Sequence, residues 1–108
     1  MTTTRRVLPS SAVVAAVLVF ELHLPHTHSL KEKRAVITPI LEGARRRHRV
    51  AAAEVDRQDT WQRATLAFAT VSGEEHMAKA VLDEVDRFVW SFPEVDVIES
   101  RVRWLEDD

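Results

Sequence analysis

The spacing of apolar positions switches between two periods along the chain, and each switch marks an element. From about Ala12 to Leu22 apolar residues occupy both parities of the run, which predicts a central β-strand covered on both faces. Ser29-Leu30-Lys31-Glu32 then reads as a capping box, with the serine hydroxyl accepting from the Glu32 amide and the Glu32 carboxylate reaching back to the Ser29 amide. Leu30, Ile37, Ile40, Leu41 and Ala44 follow at helical spacing, so a helix is expected to about Arg47. Pro39 falls opposite Ile37 and Leu41, where water can satisfy the carbonyl it leaves free. A bend is expected there, not a break.

A second strand is expected from about Arg49 to Asp56, and Arg57-Gln58-Asp59-Thr60 turns the chain into a third, from Trp61 to Val71. Ser72-Gly73-Glu74-Glu75 reads as a second capping box. The helix it opens carries Met77, Val81, Val85, Phe88 and Phe92 as an apolar stripe, and Pro93 closes it. A last strand runs through Val95, Val97, Ile98, Val102 and Trp104.

This order, βαββαβ, predicts an α+β ferredoxin-like domain: a four-stranded antiparallel sheet with two helices on one face. The right-handed crossover rule places strand 3 between strands 1 and 2. The other face should carry Val17, Val19, Glu21, Val50, Ala52, Glu54, Trp61, Arg63, Ala67 and Ala69. Its centre (Val17, Val19, Ala67 and Ala69) is too apolar for a face left in water, so a partner is expected on it, a second copy of the chain first among the candidates. Strands 1 and 2 end on the same side, so the His23 to Ser29 loop, the start of helix 1 and the Asp56 to Thr60 turn should converge there.

Length allows one domain: 108 residues, read as a tail over 1–11 and a single domain over 12–105. Arg5 and Arg6 before the Ala12 to Phe20 run resemble a short secretory signal, but no small-residue cleavage site follows, and the run is too short to cross a bilayer. No cysteine is present, which excludes disulfides, thiol nucleophiles and thiolate metal sites and fits a reducing, cytoplasmic setting. Net charge is −2, yet Lys31, Lys33, Arg34, Arg45, Arg46, Arg47 and Arg49 face only Glu32 and Glu42, whereas the chain from Glu94 onward is acidic. That asymmetry suggests a charged partner for the basic side.

The converging end offers His23, His26 and His28 beside Glu54, Asp56 and Asp59, side chains of the type that bind a divalent metal. The histidines lie in a loop without helical spacing, and solvent-facing imidazoles explain them better than a metal does. The amides of the first helix start, with Lys31 and Lys33, could receive a phosphate, although Ser29 and Glu32 satisfy some of those amides themselves. Glu54 and Asp56 alternate next to cations, the pattern of solvated ion pairs more than of acid–base catalysis. No glycine-rich phosphate loop, nucleophile elbow or cofactor motif is present, so no catalytic residue and no cofactor is expected.

The run Arg45-Arg46-Arg47-His48-Arg49 sits where helix 1 ends, and cations there complement the helix dipole. One or two would suffice for that. Four arginines in five residues also fit a phosphate backbone. Trp90 projects away from Met77 and Phe88, which marks it either for a contact with another molecule or for packing on the C-terminal segment.

The stretches His23-Leu-Pro-His-Thr-His-Ser29-Leu-Lys-Glu-Lys-Arg34 and Ala53-Glu-Val-Asp56-Arg-Gln-Asp59-Thr-Trp61-Gln-Arg-Ala64 resemble the YlxP-like family of small bacterial proteins, over about Val13 to Leu105. The resemblance implies a ferredoxin-like domain of unknown function, no known enzymatic activity, and genes often found among those for translation initiation and ribosome maturation factors. Pro39, the arginine run and the N-terminal extension depart from the family pattern. The resulting expectation is a non-enzymatic, RNA-binding, ribosome-associated accessory protein, with RNA or a ribosomal subunit as partner and no membrane. The alternatives are a homodimeric protein-interaction module that binds through Trp90, or a metal-binding sensor.

Overall fold

The computed structural model describes residues 13–105; the tail expected over 1–11 lies outside them. The elements are β1 (Val14–His23), α1 (Leu30–His48), β2 (Ala51–Asp56), β3 (Arg63–Ser72), α2 (Glu75–Trp90) and β4 (Asp96–Trp104). They form one antiparallel sheet in the order β2-β3-β1-β4, with both helices on one face. This is the ferredoxin-like α+β fold, and β3 lies between β1 and β2 as the handedness rule requires.

Parity along β1 assigns the two faces. Ala16, Leu18, Phe20 and Leu22 pack under the helices with Ala64, Leu66 and Phe68 of β3, against Ile37, Ile40 and Ala44 of α1 and Leu82, Val85 and Val89 of α2. The apolar stripe of α2 is centred one residue later than Met77 suggested: Ala78 is buried and Met77 is exposed, because a methionine side chain can stay at the rim where the small Ala78 fits the contact.

Helix α1 starts as its sequence dictates. Ser29 Oγ accepts from the Glu32 amide at 3.0 Å, and Glu32 Oε1 accepts from the His28 amide at 2.7 Å, one residue earlier than expected. The helix runs unbroken through the exposed Pro39. Ser72 is not a cap. It ends β3, its hydroxyl accepts from the Glu74 amide at 3.0 Å, and the N-cap of α2 is Glu74, with no side-chain capping bond.

The open face differs from the expectation on β2. Ala51 pairs with Ala69 and Ala53 with Ala67, so these two alanines, not Val50, Ala52 and Glu54, belong to the open face. Val50 and Ala52 are buried on the helix side. A register shift between Glu54 and Asp56 then inserts one extra residue, the signature of a β-bulge. Trp61 also falls outside the strand, in the turn before Arg63. On the central strands the expected placement holds: Val17 pairs with Ala69 and Val19 with Ala67.

Candidate nucleic-acid interface

Seven cations of the first helix and its exit were expected to form one basic surface. The structure divides them into two that hold the fold and five that face outward.

Lys33 belongs to the fold. It shares the inward row of α1 with Ile37, Ile40 and Ala44, and the residue is 1% exposed. Its ammonium donates to the carbonyls of Arg57 (2.6 Å) and Thr60 (2.8 Å) and sits 2.6 Å from Glu54 Oε2. Two hydrogen bonds and an ion pair thereby hold the buried ammonium, so Lys33 is not available to a nucleic acid. The same end of the domain is drawn together by Thr27, whose hydroxyl donates to the Trp61 carbonyl at 2.5 Å. The Gln62 amide returns a bond to the Thr27 carbonyl at 3.1 Å. The expected convergence of loop, helix start and turn is therefore real, and a buried lysine fixes it.

Arg45 is also partly committed. Its guanidinium donates to the Ala52 carbonyl at 2.6 Å and lies 3.4 Å from Glu42. Because β2 is an edge strand, this bond covers one of its outward carbonyls, which an unprotected edge would offer to another strand.

Lys31, Arg34, Arg46, Arg47 and Arg49 are exposed. At 100° per residue, Lys31, Arg34, Glu42, Arg45 and Arg46 fall within about 120° of one another, opposite the buried row, and extend about 22 Å along the helix. Among the described residues none of the five has a carboxylate within 4.0 Å, nor do Arg87 and Arg103, whereas Lys33, Arg45, Arg57, Arg63, Lys79 and Arg101 all do. The neighbouring α2 has the opposite balance, with Glu75, Asp83, Glu84 and Asp86 against Lys79 and Arg87.

The last turn of α1 approaches α2 closely. A Cβ on Gly43 would stand 2.5 Å from Cζ of Phe88, so glycine at this position permits the contact. Phe88 meets the ring of Phe92 edge to face at 5.1 Å, and the Arg47 guanidinium lies 5.6 Å from its centroid. A cleft of about 570 Å³ opens here, bordered by Pro39, Glu42, Gly43, Arg46, Arg47, Phe88 and Phe92. Both phenylalanines were expected as core. They are half-buried and line this cleft. A glycine in mid-helix, costly unless something must come close, was the available signal.

The histidines are not gathered. His23, on β1, lies 3.5 Å from Asp96, while the exposed His26 and His28 border a shallow groove with Glu32 and Glu94. Among the described residues no group of three His, Cys, Asp or Glu is placed to hold a metal ion. His26 and His28 share that groove, and His23 lies apart from it on β1. Asp56 accepts from the Arg57 amide at 2.7 Å, and Glu54 is occupied by Lys33, so the two carboxylates do not form a pair. Trp90 is exposed at the end of α2, as its helical position predicted. Among the described residues no helix is long and apolar enough to cross a membrane.

These features define a small α+β module with a clamped loop end and a basic helix. Residues 15–102 match the family described as "Protein of unknown function (DUF503)", and the chain belongs to that family. It is 40% identical over 77 residues to a Bacillus subtilis (strain 168) protein described as "Uncharacterized protein YlxP", an alignment that covers 71% of this chain and 84% of that protein.

Proposed function

We propose that this protein is a non-enzymatic, cytoplasmic RNA-associated factor that acts on the ribosome or its precursors through the outer face of α1. The observation that carries this reading is the set of five exposed cations, Lys31, Arg34, Arg46, Arg47 and Arg49, without a carboxylate neighbour among the described residues. Lys31, Arg34 and Arg46 share the outer face of α1, Arg49 is its C-cap and Arg47 turns toward Phe88. Unneutralised cations spaced along a rigid helix and its exit suit a phosphate backbone, whose binding releases counterions and is weakened by salt. The gene neighbourhood implied by the family resemblance points to the ribosome. In sucrose gradients of lysate at low salt the protein is expected to co-migrate with a ribosomal subunit and to leave it as salt rises. Migration at the top of the gradient under every condition would sink the reading.

A second reading, compatible with the first, is favoured by the open sheet face. Val17, Val19, Ala67 and Ala69 form its centre, and the exposed Ala51 and Ala53 extend it. In a sheet with one bare face such positions are ordinarily polar, and stacking on a second copy would cover what stays exposed of this small apolar surface. Val19 itself is only 7% exposed, beside Arg101 of β4. At about 25 cal/mol per Å² as an upper estimate, less the cost of association, the dimer should be of modest, concentration-dependent stability. Light scattering in the high micromolar range is expected to give a dimer for the wild type and a monomer for Val19→Lys. A monomeric wild type at that concentration removes the homodimer. Any protein contact would then fall to Trp90.

A further inference from the structure

The basic surface continues around α1 into the cleft beside α2, and the cleft has a different chemistry from the helix face. Phosphates need only cations. This cleft sets two aromatic rings, Phe88 and Phe92, next to Arg46 and Arg47. Its volume of about 570 Å³ lies within the range of roughly 300–1,000 Å³ usual for small-molecule-sized sites. In water, half-buried rings at the border of a cleft gain from being covered by another flat, apolar face. Neighbouring guanidinium groups restrict the choice to a face that carries negative charge close by.

We infer that the cleft between α1 and α2 seats an unpaired nucleobase, stacked against Phe92 and the rim of Phe88, while its phosphates lie on Arg46 and Arg47. The inference rests on the RNA reading and narrows it to single-stranded RNA. A base held in a duplex cannot leave the stack to reach the rings, whereas an unpaired one can. Three local features prepare the site. Gly43 lets the Phe88 ring come up to α1, the edge-to-face contact with Phe92 fixes the two rings against each other, and Arg47 is already drawn over Phe88. Arg46 has no carboxylate within 4.0 Å among the described residues, and it borders the same cleft.

The test measures binding of the full-length protein to three labelled probes by fluorescence anisotropy. They are a mixed-sequence single-stranded RNA of about a dozen nucleotides, an abasic strand of the same length and charge, and a duplex of the same length. The wild type is expected to prefer the single strand over the abasic strand by roughly tenfold, the effect of stacking one base on an aromatic side chain. Phe92→Leu should remove most of that preference without changing the affinity for the abasic strand, and Phe92→Trp should restore it. Equal binding of the normal and abasic strands by the wild type, a comparison that needs no substitution, overturns the stacking site. If Arg46→Glu then still weakens both strands, the RNA reading survives. If the wild type binds none of the three probes, the RNA reading fails and this inference with it.

Discussion

Replacing Lys33 by methionine is expected to lower the unfolding free energy by about 3–5 kcal/mol, the range for removing one partner of a buried ion pair. The substitution keeps the length of the side chain and its fit between Ile37 and the sheet. What it removes is the charge that faces Glu54 and the donors to the Arg57 and Thr60 carbonyls. The Glu54 side chain is only 17% exposed, so its carboxylate would be left with little water and no cation. The Thr60 carbonyl would lose its partner as well, and the Arg57 carbonyl would keep only the Thr60 amide. Urea unfolding measures the loss. The neighbouring Arg34→Met is the control, because an exposed position away from such contacts ordinarily changes stability by about 0.5 kcal/mol or less. Adding Glu54→Leu to Lys33→Met should recover part of the loss, since an ion pair replaced on both sides by apolar groups costs far less than one broken on one side. A loss below about 1 kcal/mol for Lys33→Met would mean that the clamp is not what holds this end together.

The clamp also joins the two separate stretches of sequence that carry the family resemblance. Lys33 lies in the first and Glu54, Arg57 and Thr60 in the second, and the four meet at one ammonium group. The signal for this was present in the spacing. Lys33, Ile37, Ile40 and Ala44 recur at i, i+4, i+7 and i+11, which places the lysine on the buried row of the helix. Its charge suggested the opposite, because a lysine on a helix is nearly always outside. Only the partners supplied by a distant turn make the buried position tolerable, and no local pattern reports them.

The strand order and both helices were legible because their periods are long and clear. The parity of β2 was not. Val50-Ala51-Ala52-Ala53-Glu54-Val55 offers small apolar residues on both faces, so either register satisfies the pattern, and a one-residue slip exchanges the faces completely. The bulge before Asp56 is set by pairing with β3 and leaves no mark in the hydrophobic pattern. The cleft was hidden in a similar way. Phe88 and Phe92 read as one helical stripe, but α2 ends at Trp90 and Phe92 lies beyond its C-cap Ser91. There α1 approaches at Gly43 and the last rings remain at the edge. Among the expected RNA contacts, the bond of Arg45 to Ala52 left no local signal, because the edge carbonyl it covers exists only once β2 has been placed outermost.

Charge reversal by Arg34→Glu, Arg46→Glu and Arg49→Glu together is expected to abolish association with RNA at low salt while leaving the domain folded. These positions are chosen because each is exposed and has no carboxylate partner among the described residues. Lys33 keeps its clamp, Arg45 keeps the Ala52 carbonyl, and Arg47 keeps its place over Phe88. Single-stranded RNA binding weakens with salt at a slope of about −0.7 per neutralised phosphate. Four or five contacts along α1 therefore predict a slope near −3 for the wild type, and a fourfold rise in salt should cost roughly a hundredfold in affinity. Turning three of the cations into anions removes those contacts and adds repulsion, so no measurable binding should remain at the lowest salt. The cost to the fold should be small. Glutamate near the start of α1 is favoured by the helix dipole and near its end disfavoured, each by about 0.3–1 kcal/mol, so thermal melting should move by only a few degrees. Reversing Lys79 and Arg87 on α2 instead adds the same kind of charge to a helix that already carries four acids, and should leave binding unchanged. If the α2 variant weakens RNA binding as much as the α1 variant does, total charge and not the face of α1 governs the interaction, and the interface proposed here is wrong.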